Sequence, residues 1–296
     1  MQIATLICHR DVERALTCLD SARWAFNNEV SFVFFSDGTL SAEDETLLCA
    51  HFSNSRVVSR QELEQSVSEE LEKLPHCRKI IPSSIYSLKL IHMPLFFQRV
   101  LNQKHYRYLD TDILFFERVE NWRALWEKNA FLCEREVILS GRPFVILKHH
   151  PVLRDVNAGL ISFDMRHHDL EFIESFLGNE ELIKTNYGVL EQTCWNLLGA
   201  RAHSQGEAVW QIAPDQIVSS HYFETMQPRQ VGLHFIGKLK PRVHEFGDLA
   251  LSAQNWQQKS PLKLGFQRAN PLTWTHAATL GVLNRTKIRG KILKCR

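Results

Sequence analysis

The 296-residue sequence predicts an α/β fold with a mostly parallel central sheet flanked by helices. Three observations predict it. Strand-like apolar runs alternate with helix-like stretches over the first 116 residues, the pattern of βαβ units. The composition, 44% hydrophobic and 23% charged, is that of an ordinary globular chain able to bury a sizeable core. An apolar run near residue 110 ends in two aspartates, and open parallel sheets place their ligands beyond the carboxyl ends of their strands.

The elements follow in chain order. Ile3 to Cys8 is a short apolar run. After His9-Arg10-Asp11 a helical pattern continues to about Phe26. Val30 to Phe35 reads as a second strand, closed by the turn residues Ser36-Asp37-Gly38. Ser41 to Phe52 reads as a helix, with Ser41 as N-cap and Asp44 at the third helical position. Arg56-Val57-Val58 suits a short third strand, and Arg60 to Leu74 a charged helix. Ser84 to Leu101 is a longer apolar helix leading to Tyr106-Arg107-Tyr108-Leu109-Asp110-Thr111-Asp112-Ile113-Leu114. Further on, Phe131-Leu132-Cys133, Phe144 to Leu147, Leu160 to Phe163 and Gly232 to Ile236 resemble strands. Leu170 to Leu177 and Val189 to Leu198 resemble helices. No repeat and no Pro/Gly/Ser-rich linker interrupts the chain. The expectation is one continuous domain over residues 1–260 and a basic C-terminal extension over residues 261–296.

Charge and composition narrow the function classes. A net charge of +2 does not argue for nucleic acid as partner. No apolar run reaches the ~18 residues of a membrane span. The first residues, Met1-Gln2-Ile3-Ala4-Thr5-Leu6, carry no basic region and read as a strand rather than a signal peptide. The seven cysteines are scattered, odd in number and without a C-x-x-C pair, which suits reduced thiols. A cytoplasmic protein is the expectation.

Asp110-Thr111-Asp112 is the most informative segment. Carboxylates at the end of an apolar strand must be hydrated, paired or metal-bound. If the backbone stays extended across them, both point to one face. Two hard oxygen ligands suit Mg²⁺ or Mn²⁺, and such an ion stabilises a diphosphate as leaving group. A polar strand end or an Asp-initiated turn fits the bare motif equally. Three later stretches carry polar groups of interest. In Val156-Asn157-Ala158-Gly159, Gly159 allows close backbone approach and Asn157 offers both donors and an acceptor, although a turn asparagine is the commoner role. Glu191-Gln192 opens a helix, where an acid usually complements the dipole. In Leu233-His234-Phe235-Ile236-Gly237-Lys238-Leu239-Lys240-Pro241, His234 is either a core histidine or a nitrogen ligand beside the aspartates. The glycine and lysines suit a loop that pairs with phosphate.

Taken in order, these four segments resemble the motif series of GT-A glycosyltransferases, and most closely glycosyltransferase family 8, the bacterial lipopolysaccharide galactosyltransferases and glycogenins. That family has a D-x-D at the end of a central strand, an F-N-A-G segment, an acidic residue before Gln, and a terminal H-F/Y-x-G-x-x-K-P. The resemblance runs from about Gln2 to about Glu245. It implies Asp110, Asp112 and His234 as ligands of Mn²⁺ (or Mg²⁺). It also implies Lys240 and Gly237 near the donor diphosphate, and Asn157 and Gln192 lining the sugar and reaction centre. Three departures stand out. Glu191 replaces the family's Asp, Lys89 is the nearest cation where the family has Arg before the D-x-D, and Arg242 replaces the Trp of K-P-W.

The expected activity is therefore metal-dependent transfer of a sugar from a nucleotide-sugar, a UDP-hexose, to an acceptor hydroxyl on a glycan or glycolipid, with retention. Two alternatives stand beside it: an inverting GT-A transferase with Glu191 as base, and a non-catalytic nucleotide-sugar-binding protein. A nucleotidyltransferase would be expected to carry a Gly-rich loop after the first strand, and Cys8-His9-Arg10-Asp11 has no glycine. His149-His150 and His167-His168 read as surface residues. The tail from Arg285 to Arg296 places six cations among Ile288, Ile292 and Leu293. It suits either a solvated tail or peripheral contact with an anionic membrane.

Overall fold

In strand β2 (Ser31–Ser36), Phe32 and Phe34 point to one face of the sheet and Val33 and Phe35 to the other, and all four are buried. In β1 (Gln2–Ile7), Ile3 and Ile7 share the face of Phe32, and Ala4 that of Val33. The period-2 geometry of a strand thus feeds two apolar layers at once, as it must when helices cover both faces. The computed structural model describes residues 1–80, 88–135, 146–153, 156–186, 190–212, 216–219, 231–235, 240, 243–244, 246, 266–269 and 271.

On one face, helix α1 (Val12–Ala25) packs Ala15, Leu19 and Ala22 into a layer with Phe26, Trp122 and Trp126. Helix α2 (Ala42–His51) begins at Ser41, whose hydroxyl accepts from the Asp44 N–H while the Asp44 carboxylate accepts from the Ser41 N–H. That reciprocal pair satisfies two of the helix's orphan donors, as the sequence predicts. The turn at Ser36-Asp37-Gly38 also forms, with Gly38 at φ +102°. The charged stretch from Arg60 is two short helices, α3 (Arg60–Ser66) and α4 (Ser68–Glu72), rather than one, and α5 (Pro75–Ile80) follows them.

The central sheet also contains β3 (Arg56–Val58), β4 (His105–Leu109), β6 (Phe131–Arg135), β7 (Val156–Asp164), β8 (Val209–Ile212) and β11 (Phe266–Arg268). Its order is β11-β8-β6-β7-β4-β1-β2-β3. β1, β2, β3, β4, β6 and β8 run one way, and β7 and β11 run against them. A second, three-stranded sheet joins β5 (Ile113–Phe115), β10 (Gly232–His234) and β9 (Ile217–Ser219).

Three sequence expectations change. The apolar helix before β4 has a π-helical start, Leu88–His92, and becomes α-helix α6 only over Met93–Arg99. Pro94 explains the break, because it has no N–H to donate and its ring crowds the carbonyl one turn earlier. The first residues of that expectation, Ser84 to Ser87, lie outside the described residues. The strand expected from Leu160 begins at Val156, so Asn157 and Gly159 stand inside β7. Ile146 and Leu147 are helical, not strand, and Phe144 and Val145 lie outside the described residues. Among the described residues α7 (Trp122–Lys128) precedes β6, and α8 (Leu170–Leu177), α9 (Glu180–Asn186) and α10 (Leu190–Ser204) follow β7. Among the described residues no helix is long and apolar enough to cross a membrane.

Candidate active site

The candidate site begins where β4 stops. Asp110 follows its last residue, and the chain turns at Thr111-Asp112 before β5. The backbone is therefore not extended across the two aspartates. The turn itself brings their carboxylates together. Two bonds tie it to the sheet: the buried Thr5 hydroxyl donates to the Leu109 carbonyl at 2.7 Å, and the Asp110 N–H donates to the Gly159 carbonyl at 2.7 Å. The Phe235 N–H donates to the Asp112 carbonyl at 2.8 Å. That bond and the antiparallel β5–β10 register, which sets His234 opposite Ile113, deliver the imidazole to the turn.

Asp110, Asp112 and His234 each offer one ligand atom, and these atoms lie within 4.8 Å of one another. His234 Nε2 is 3.2 Å from Asp112 Oδ1 and 3.8 Å from Asp110 Oδ2. His234 is thus in the site and not an isolated core residue. Two carboxylates and one imidazole form a donor set that fits Mn²⁺ well and Mg²⁺ less closely.

Lys240 completes this side. Its Nζ lies 2.6 Å from Asp112 Oδ2, while its side chain remains 41% exposed. Asp112 is 1% exposed, and burial alone would raise its pKa. His234 and Lys240 outweigh burial and hold the carboxyl well below its usual range. Burial likewise opposes charge on His234, yet Glu134 and Asp112 lift its pKa well above that of a free imidazole. Gly237 and Lys238 lie outside the described residues.

On the other side of the turn, Lys89 sits in the π-helical segment, 5% exposed. A widened helical turn of this kind often marks a functional position. Lys89 Nζ is 3.2 Å from Asp110 Oδ1, 3.5 Å from Glu191 Oε1 and 4.2 Å from the centre of the Tyr108 ring. Burial would favour its neutral form, but Asp110 and Glu191 outweigh burial and raise its pKa. The Tyr108 hydroxyl donates to Asp110 Oδ1. Burial pushes the Glu191 carboxyl up to about 7, against the pull of Lys89.

Gln192, in the first turn of α10, donates its amide to the Val156 carbonyl. Asn157 accepts from the Gly159 N–H at 2.7 Å. Asp110, Asp112, His234 and Lys240 thus form one group at the β4 end, and Lys89, Glu191 and Asp110 a second. Sequence reading missed two neighbours. Tyr108 appeared only as part of an apolar flank. Glu134, on β6, had no local signal at all. Gly159 does permit a close approach, and the group that approaches is the His234 ring. The histidine pairs read as surface are less uniform than expected. His168 Nε2 hydrogen-bonds the Leu90 carbonyl at 2.8 Å, and its ring lies 6.0 Å from that of Trp195. Burial lowers its pKa to about 4.

No protein-family model and no curated protein matches the sequence. Solved structures do. The galactosyltransferase LgtC, in complex with donor and acceptor sugar analogues, superposes with a TM-score of 0.53 at 15% identity, over 88% of this chain and 98% of its own. An active-site mutant of LgtC gives 0.50 at 13% identity over the same shares. Mouse xyloside xylosyltransferase 1, in its apo form, gives 0.53 at 9% identity, over 81% of this chain and 99% of its own. The chain has the GT-A fold.

Proposed function

We propose that this protein is a glycosyltransferase that moves a sugar from a nucleotide diphospho-sugar to an acceptor hydroxyl. The carrying observation is the convergence of Asp110, Asp112 and His234 at the carboxyl end of a parallel strand, in a fold shared with a galactosyltransferase bound to donor and acceptor analogues. Asp110, Asp112 and His234 would hold Mn²⁺ or Mg²⁺. When bound, the ion neutralises a diphosphate and stabilises it as leaving group. Lys240 adds a cation on the same side, which would leave Asp112 to pair with phosphate. Lys89, fixed by Asp110 and Glu191, offsets their charge on the opposite wall. Gln192 and Asn157 then orient donor and acceptor.

The resemblance to family 8 supports a UDP-hexose donor, a glycan or glycolipid acceptor and retention of configuration. A basic tail in contact with an anionic membrane surface would suit a lipid-linked acceptor. One observation favours a second reading: a carboxyl held near 7 is suited to general-base work, so Glu191 is the candidate base of an inverting enzyme. The test is release of UDP or GDP from a panel of nucleotide-sugars in Mn²⁺ and in EDTA, with product stereochemistry read by NMR. Metal-dependent nucleotide release with a retained anomer is expected. An inverted anomer would transfer the role to Glu191. Metal-dependent binding with no release would leave a nucleotide-sugar-binding protein.

A further inference from the structure

The His234 imidazole meets two residues that the metal reading does not use. Its Nδ1 lies 2.8 Å from Glu134 Oε2, and Glu134 is fully buried. An ionised carboxylate only accepts, so Nδ1 carries the proton, and Nε2 is the nitrogen turned toward Asp110 and Asp112. The Cε1 end of the ring lies against Gly159. A Cβ there would stand 2.3 Å from the ring Cε1 and 3.0 Å from Nε2, so no other residue leaves the ring its place.

The strands are shaped around this contact. Against β7, β6 runs in regular antiparallel register as far as Cys133 opposite Ile161, and then Glu134 stands opposite Asn157. The jump sets Ala158, Gly159 and Leu160 outside the β6 ladder, and irregularities of this kind re-aim side chains. Here the residue beside the jump is Glu134.

We infer that Glu134 is the positioning residue of the metal site: it fixes the tautomer and ring plane of His234 against Gly159, so that Nε2 faces the cation. The inference rests on the metal reading above. Carboxylate partners of this sort orient ligating histidines, and losing one typically weakens metal binding about 10- to 100-fold.

The test measures Mn²⁺ affinity by calorimetry on protein whose melting confirms that it is folded. Glu134→Leu should weaken Mn²⁺ binding by about 10- to 100-fold. Glu134→Gln, whose amide oxygen still accepts from Nδ1, should recover part of the loss. In a His234→Asn background, Glu134→Leu should change Mn²⁺ affinity little. Equal affinities for wild type and Glu134→Leu, or the same loss in both backgrounds, would overturn the inference. Wild-type protein that binds no Mn²⁺ would overturn the metal reading itself. If Glu134→Leu does not fold, ¹⁵N NMR of Mg²⁺-loaded wild type decides: a protonated Nδ1 with an unprotonated Nε2 is expected, and the reverse tautomer refutes it.

Discussion

On the helix side of the Asp110–Asp112 turn, Lys89 is enclosed by Asp110, Glu191 and the Tyr108 ring, and is 5% exposed. On the small-sheet side, Lys240 reaches Asp112 with a side chain 41% exposed. Both lysines neutralise an aspartate of one motif, yet they are held differently. Lys89 cannot leave without stranding Glu191, 9% exposed, in a dry place. Lys240 is the more accessible of the two, and on the proposed function it is the one that a metal ion at Asp112 and His234 would displace. The burial of the lysines runs opposite to that of their aspartates: Asp110 is 26% exposed beside Lys89, and Asp112 is 1% exposed beside Lys240.

The strongest test of the fixed side is Lys89→Met. It should destabilise the fold by about 3 kcal/mol or more, since removing one partner of a buried pair leaves the other's charge uncompensated. Chemical denaturation measures this. The double variant Lys89→Met/Glu191→Gln should recover much of the loss. A single variant as stable as wild type would mean that Lys89 is as exchangeable as Lys240.

On the exchangeable side, Asp112→Asn should leave the protein folded and lower Mn²⁺ affinity by about two orders of magnitude, about 2.8 kcal/mol. Calorimetry reads the change, and an unchanged Mn²⁺ isotherm would remove Asp112 from the ligand set. Lys240→Ala should act in two directions. It should tighten Mn²⁺ binding in the absence of nucleotide, because Nζ no longer competes for Asp112. It should weaken UDP binding by about tenfold, about 1.4 kcal/mol, while leaving uridine binding nearly unchanged. Equal losses for uridine and UDP would mean that Lys240 only shapes the pocket.

A pH dependence is also expected on the fixed side. The folded-state pKa of Glu191, about 7, lies above its unfolded value of about 4.5. Between those values the folded protein holds the extra proton, so the contribution is fully present at and below pH 4.5 and is lost as pH rises through 7. Urea titrations from pH 5 to 8 should show wild type losing stability relative to Glu191→Gln, on the order of 1 kcal/mol per pH unit at most. Parallel pH profiles would contradict the assignment.

Much of this was legible in the sequence because its causes are local. The Ser41–Asp44 cap, the Gly38 turn and the βαβ alternation each follow from residues within a few positions of one another. Asp110 and Asp112 stand out because acids are costly after an apolar strand, and His234 because it interrupts another. The resemblance to a known motif series joined the two. Other features were hidden. Whether the backbone turns or stays extended at Thr111 depends on the Phe235–Asp112 bond, which joins segments over a hundred residues apart. Glu134 is aimed by a register jump between β6 and β7, and nothing in Phe131-Leu132-Cys133-Glu134 announces it. The difference between Lys89 and Lys240 is one of burial, which needs the packed helices to be known.

Crystals grown with Mn²⁺ and UDP, and diffraction recorded at the manganese edge, test the central claim most directly. The anomalous map should place one Mn²⁺ against Asp110, Asp112 and His234 Nε2. Lys240 should have moved from Asp112 to the diphosphate, and Lys89 should remain between Asp110 and Glu191. A peak away from these three ligands, or a Lys240 still paired with Asp112 beside bound nucleotide, would contradict the account.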